Sequence, residues 1–345
     1  MTDIKSLTFD ELNSEINSIG LPKFRTGQIY SWLHEKGVDS FDEMTNLSKD
    51  LREKLKQNYF IPSVKIEDKY VSKIDDTVKY LFKLYDEEYV EAVIMKYKYG
   101  YTICISSQVG CKMGCKFCAS TLAGFKRNLL PAEMESQLHI AQKDLNIRIS
   151  HIVLMGIGEP LDNYDNVIKF IKTVNNYKGL NISMRDITLS TCGIVPKMYD
   201  LANEQMPITL TLSLHAPNDK IRSSMMPVND KWGVDEAIAA CKNYADKTGR
   251  RVSFEYTLIN GVNDTEECAK ELASKLAGML CHVNLIPVND VEERGNVRST
   301  DKSIKNFCEA LYSLGINATI RRTLGSDINA SCGQLRRKKN EGEIQ

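Results

Sequence analysis

From about residue 107 onward the chain alternates between short apolar runs and longer amphipathic stretches, and this alternation limits the fold more than any other feature. Residues 151–155, 186–190, 208–214, 252–258, 283–287 and 318–321 read as strands, and 131–145, 164–177, 233–247, 264–279 and 301–314 read as helices. Strands separated by whole helices cannot pair as hairpins. They predict βαβ units around a parallel sheet. With a further strand at 101–107 there are six or seven units, too few for a closed eightfold barrel. The expected class is therefore α/β, a partial (β/α)6-type barrel.

Ahead of this region the texture changes twice. Leu7, Leu12, Ile16 and Ile19 recur at near-helical spacing, Ile29, Tyr30, Trp32 and Leu33 cluster, and Gly20, Pro22, Gly37 and Pro62 punctuate them. Residues 1–62 are expected to form a small helical N-terminal domain. Val64-Lys-Ile, Val78-Lys-Tyr-Leu-Phe, Tyr89-Val-Glu-Ala-Val-Ile-Met and Tyr101-Thr-Ile-Cys-Ile then alternate polar and apolar residues. They predict hairpin strands over 63–107 that link into the barrel of 108–345.

Composition narrows the setting. Lys and Arg number 45 against 45 Asp and Glu, so bulk charge cannot hold a nucleic acid and local basic patches must. No apolar run approaches the ~18 residues of a membrane span, and the N-terminus lacks the apolar core of a signal peptide. The expected location is the cytoplasm, with no membrane partner. In that reducing compartment the ten cysteines do not form a disulfide framework; they are core filler, metal ligands or catalysts.

Three of them fall in Cys111-Lys-Met-Gly-Cys115-Lys-Phe-Cys118, on a glycine-containing loop just after a strand. A structural zinc site wants four ligands, often as two separated pairs, and the next cysteine is Cys192. Three thiolates instead suit a [4Fe–4S] cluster with one iron open to an outside ligand. Functional residues of α/β barrels collect where strands end, and polar groups gather at those points here. Gly158 and Glu159 lie in Met155-Gly-Ile-Gly-Glu-Pro160, Ser190 opens Ser190-Thr-Cys-Gly193, Ser213, Leu214 and His215 end another strand, and Asn289 closes Asn284-Leu-Ile-Pro-Val-Asn289. The glycines permit close approach of a ligand, and Glu159 can accept from an ammonium.

The C-x3-C-x2-C loop before an α/β barrel resembles the radical S-adenosylmethionine (SAM) superfamily, in which the open iron chelates SAM. Longer segments narrow the resemblance: Cys104-Ile-Ser-Ser-Gln-Val-Gly through the cysteine loop, Lys126-Arg-Asn-Leu, Met155-Gly-Ile-Gly-Glu-Pro, Ser213-Leu-His-Ala-Pro-Asn-Asp, Cys281-His-Val-Asn-Leu-Ile-Pro-Val-Asn and Asp327-Ile-Asn-Ala-Ser-Cys-Gly-Gln-Leu. Together they are similar to the RlmN family of dual-specificity RNA methyltransferases. One departure is Asn329-Ala-Ser331 before Cys332, where the family more usually has Asp-Ala-Ala; it touches only fine positioning.

The resemblance implies an enzyme making 2-methyladenosine in 23S ribosomal RNA, at the peptidyl-transferase centre, and in the anticodon loop of certain tRNAs. It implies one [4Fe–4S] cluster per chain on Cys111, Cys115 and Cys118, and two SAM consumed per turnover. Cys332 would take a methyl from one SAM to become S-methylcysteine, and a deoxyadenosyl radical from the second would remove a hydrogen from that methyl. The carbon radical would add to adenine C2, Glu91 would accept the C2 proton, and Cys104 would release the product through a transient disulfide with Cys332. Gly158 and Glu159 would meet the methionine end of SAM; Ser190, Ser213, Leu214, His215 and Asn289 would hold its ribose and adenine. Residues 1–62 would be an accessory RNA-binding domain.

Read without the family, Cys104 is a small core residue and Glu91 the solvent side of an edge strand. Lys112, Lys116, Lys126, Arg127, Arg321-Arg322 and Arg336-Arg-Lys-Lys339 flank the reactive cysteines and are expected to meet phosphates. The chain is expected to act as a monomer fed by an electron donor such as flavodoxin or ferredoxin. Two alternatives remain open: the related adenine C8-methyltransferase of antibiotic resistance, against which Pro160 and Pro287 speak, and a non-catalytic, zinc-stabilised RNA-binding module.

Overall fold

Ten strands form one sheet whose order in space follows their order along the chain. They are β1 (Val64–Val71), β2 (Val78–Leu84), β3 (Tyr89–Tyr97), β4 (Gly100–Cys104), β5 (Ile149–Leu154), β6 (Ile187–Thr191), β7 (Thr209–Ser213), β8 (Val252–Leu258), β9 (Cys281–Pro287) and β10 (Ala318–Ile320). The computed structural model describes residues 1–288 and 297–328. β1 to β4 pair antiparallel, and every pairing from β4 to β10 is parallel.

Connection length sets the change of direction. The first three connections are tight, and Asp76 and Glu87 take left-handed backbone in two of them; such turns can only reverse a strand. Each parallel step instead carries a helix. After α1 (Phe9–Ser18), α2 (Phe24–His34) and α3 (Lys49–Asn58), the crossovers use α4 (Pro131–Leu145), α5 (Tyr164–Asn175), α6 (Val195–Asn203), α7 (Asp219–Met225), α8 (Val234–Thr248), α9 (Glu266–Leu276) and α10 (Asp301–Ser313). The strands of 63–107 are thus not a linker: they continue the barrel sheet itself.

The alternation of strand residues divides two environments. Val252, Phe254, Tyr256 and Leu258 of β8 enter the main core beside Leu210 and Leu212 of β7 and Ile152 and Leu154 of β5. The intervening Ser253, Glu255 and Thr257 are also buried, yet they point to the opposite, concave face. A polar concave face under an apolar convex one marks where chemistry can occur. Residues 321–328 run from β10 back towards the β1–β2 turn. There the Asp327 carboxylate accepts from Ser72 Oγ at 2.7 Å and from Lys73 N at 2.8 Å, and Gly325 N donates to Asp75 at 2.8 Å.

α1 to α3 have a core of their own, with Leu12, Ile16, Ile29, Leu33 and Leu55 fully buried. Buried polar contacts join them to α4. Lys5 Nζ donates to Ser136 Oγ at 3.2 Å, His34 Nδ1 lies 2.8 Å from Glu135, and His139 Nε2 lies 3.2 Å from the same carboxylate. Burial alone would raise the Glu135 pKa, but the two imidazoles outweigh it and hold the carboxyl below its ordinary range. Glu135→Leu removes the acceptor and leaves both rings buried without it, so unfolding free energy should fall by about 3 kcal/mol or more. Urea unfolding checks this, and a loss under about 0.5 kcal/mol would show the cluster to be energetically idle.

Candidate active site

β4 delivers the chain to the end of the sheet where all the parallel strands finish. Beyond Cys104, Ser106 Oγ donates to the Glu91 carbonyl at 2.6 Å and Ser106 N donates to Gln137 Oε1 at 3.0 Å. The cysteine loop then turns over the strand ends. Lys116 N donates to Met225 O at 2.9 Å, and Thr121 Oγ1 donates to Cys118 O at 3.0 Å. Cys111, Cys115 and Cys118 line a cavity of about 300 Å³ whose wall also includes Gly158, Glu159, Ser190, Ser213 and His215. Residues from three separate strand ends therefore meet the loop in one space.

Burial pushes the Cys111 thiol up to about 12, with Cys118 among the groups opposing its ionisation. Burial raises Cys115 too, and there Cys118 and Cys111 both add to the effect. Thiols that oppose one another's ionisation become ligands when a cationic centre replaces their protons. Among the described residues no three His, Cys, Asp or Glu side chains converge closely enough to hold a single metal ion.

Other residues of the cavity have settled roles. Glu159 accepts from Cys192 N at 2.7 Å and from Leu161 N at 3.0 Å, so its carboxyl fixes two loops and only its remaining lone pairs are available to a ligand. Burial raises its pKa against those backbone bonds. His215 Nδ1 accepts from Thr257 N at 2.9 Å, which leaves the ring proton on Nε2. Burial, then Arg222, pushes this imidazole down to about 3, so it stays neutral. Ser190 and Ser213 hydroxyls lie 3.3 Å apart. Leu214 turns its side chain into the main core and offers the site only backbone.

The paired glycines have a nearer cause than a ligand. A Cβ on Gly156 would stand 2.5 Å from the Ile105 carbonyl, and one on Gly158, at φ +111°, would stand 2.6 Å from Gln108 Cβ. The β5 loop passes too close to the β4 loop for any side chain. Arg127 also departs from expectation: its guanidinium is committed to Asp86 and Glu133 and braces the loop rather than a phosphate. Lys112 pairs with Asp162 at 2.9 Å.

Neither Cys104 nor Glu91 is among the residues lining the cavity. Cys104 packs with Val93 and Met95 on the concave face, against Met155, and Met155 also lines the cavity. Glu91 is buried in an interior strand, not on a solvent-facing edge, and Lys79 Nζ pairs with it at 2.9 Å. Asn289, Cys332 and the basic run 336–339 lie outside the described residues. The sequence reading missed Glu255 and Thr257, which line the cavity, and Arg222; Arg321, expected only as a phosphate contact, lines the cavity as well. The wholly buried Arg222 donates to the carbonyls of Cys192 at 2.6 Å, Leu214 at 3.0 Å and Ser213 at 3.2 Å, tying two strand ends together. An acid inside the apolar run Val-Ser-Phe-Glu255-Tyr was a usable signal; Arg222, on a short polar helix, gave none.

Residues 2–61 match the family described as Ribosomal RNA large subunit methyltransferase N-terminal domain, and residues 105–276 match the Radical SAM superfamily. A probable dual-specificity RNA methyltransferase RlmN of Lachnoclostridium phytofermentans is 56% identical over 335 residues, 97% of this chain and 94% of the relative. Another from Clostridium novyi is 53% identical over 98% of each chain. This chain belongs to the RlmN family. The crystal structure of a radical SAM methyltransferase from Sphaerobacter thermophilus agrees over 97% of this chain and 99% of its own, with TM-score 0.91 at 39% identity. The superfamily implies a [4Fe–4S] cluster and SAM, and three thiols lining one cavity are of a donor type that such a cluster uses. Among the described residues no helix is long and apolar enough to cross a membrane.

Proposed function

We propose that this chain methylates C2 of adenine in 23S ribosomal RNA and in certain tRNAs, using Cys332 as the methyl carrier. The observation that supports this most is the shared border at Met155 between the cysteine-lined cavity and the Cys104 patch. Adenine C2 lies between two ring nitrogens and is too electron-poor to attack a methyl group as a nucleophile. Cys111, Cys115 and Cys118 would hold one [4Fe–4S] cluster, which together with SAM would supply hydrogen-abstracting radical chemistry, two SAM being consumed per turnover.

The chain's own residues do the rest. Gly158 and Glu159 face the methionine end of SAM, while Ser190, Ser213, the Leu214 backbone, neutral His215 through Nε2–H, and Asn289 hold its ribose and adenine. Glu91 accepts the C2 proton, with the Lys79 ammonium compensating charge in a site closed to water. The adduct gives up one electron as it loses that proton; the Cys104 thiolate then attacks the Cys332 sulfur, the S–S bond forms as the S–C bond breaks, and the carbon left with the electron pair takes up a proton to complete the methyl group. A thiol reductant resets the disulfide. Residues 1–62 serve as an accessory RNA-binding unit, and the chain works as a cytoplasmic monomer reduced by a flavodoxin- or ferredoxin-type donor.

A radical carbon held on one sulfur reaches only the base edge that faces it, within about 3–3.5 Å. Anaerobic turnover on a ribosomal RNA fragment lacking the modification should therefore give 2-methyladenosine as the single methylated adenine in nucleoside analysis. An 8-methyl product would move the chain to the resistance chemistry, and no methylated product at all would sink the enzyme reading.

A further inference from the structure

Tyr97 and Tyr99 stack at the turn between β3 and β4 with ring centroids 5.0 Å apart and planes 7° from parallel. Tyr99 is 62% exposed, and His151 braces its ring edge-on at 4.7 Å while lying 3.5 Å from Asp186. An aromatic face so held is rigid and open to solvent. Cations lie near the tyrosine pair. Lys98 stands exposed between the two tyrosines, and Arg321 and Arg322 are near enough to act on the Tyr97 phenol, whose pKa burial raises and those guanidiniums lower.

The same residues reach the reaction centre. Arg321 lines the cavity, Leu324 packs against the Cys104 patch, and Gly100 opens the strand that ends at Cys104. Tyr99 thus stands five residues, roughly 16 Å, along the chain from Cys104, at ~3.3 Å per residue. An exposed aromatic plane among cations, continuous with a buried site, fits a segment of single-stranded nucleic acid: bases stack on the ring and phosphates meet the guanidiniums. A target base taken out of its helix leaves its neighbours unstacked and in need of such a surface.

We propose that Tyr99, backed by Tyr97 and flanked by Lys98 and Arg322, is a docking platform for the unstacked nucleotides next to the target adenine. The platform rests on the RNA methyltransferase reading and adds a binding surface to it. A nearby alternative is that the tyrosine pair merely stiffens a tight hairpin.

Fluorescence anisotropy of the reconstituted full-length holoprotein with a labelled RNA stem-loop separates the two. Tyr99→Ala should weaken binding roughly 5- to 150-fold, and Tyr99→Phe, which keeps the aromatic face, should bind within about twofold of the parent. Arg322→Gln should flatten the slope of log Kd against log salt by about 0.7, the share of one single-strand phosphate contact. Iron content and thermal melting matched to the parent show that each variant is folded. Equal affinity of Tyr99→Ala and the parent overturns the platform. So does a defect that appears only in reduction by a protein electron donor, since this face would then dock the donor. If the parent itself binds no RNA, the RNA methyltransferase reading falls instead.

Discussion

Cys115→Ala should lose the iron–sulfur cluster and all product formation while keeping its fold. The side chain is buried beside Cys192, Met225, Met226 and Val228, so deleting one sulfur costs packing on the order of 1 kcal/mol. The loop keeps its backbone ties, including Lys116 N to Met225 O at 2.9 Å. Two cysteines cannot hold a cluster that needs three protein ligands and one open iron. Even outer-shell partners of metal sites cost 10- to 100-fold when removed, so turnover should drop by at least about 100-fold. Iron and sulfide assays with the visible absorption of anaerobically purified protein check the first half, and nucleoside analysis the second. The same holds for Cys111→Ala and Cys118→Ala. A full complement of iron with normal turnover in any of the three would remove that cysteine from the ligand set.

The parts of the molecule legible in the sequence are those set by local periodicity. The strand at 252–258 and the helix at 131–145 stand where the pattern puts them, because one face of each must enter the core. α6 and α7 were missed because nine and seven residues give too few turns for a periodic signal, although Pro196 in the first turn of α6 is a start mark. The strands of 63–107 read as a lead-in because their turns are visible, whereas the pairing of β4 with β5, which makes them four of the ten strands of the barrel sheet, is not a local property.

The site divides the same way. The cysteine loop is close in sequence, so the gathering of its three thiols at one cavity could be read directly. Glu159 was identified as polar and near a ligand, yet its bonds to the Cys192 and Leu161 amides come from a neighbouring strand end and from its own turn. Glu91 depends on context even more: its local pattern is that of an edge strand, and only the sheet order buries it and sets Lys79 against it. Arg222 and Glu255 act across several elements, which no one-dimensional pattern contains.

Cys104→Ala should stop the reaction one step later and leave a different trace. Cys104 sits on the concave face with Val93 and Met95, and its loss removes a sulfur from a small apolar patch, at a cost of about 1 kcal/mol. The cluster thiols, the strand-end groups and Glu91 are untouched. Methyl acquisition by Cys332 and bond formation to the base should therefore proceed, since neither requires a second thiol. Release requires a nucleophile to attack the Cys332 sulfur, and alanine supplies none. RNA should accumulate covalently on the protein, and multiple turnover should fall to background. Protein purified from cells containing their own RNA, digested with nuclease and weighed by mass spectrometry, should carry a nucleotide adduct on the Cys332 peptide. Cys104→Ala combined with Cys332→Ala should carry no adduct, because the attachment point is gone. Unmodified protein with undiminished turnover in the single variant would return Cys104 to ordinary core packing and leave product release without an assigned residue.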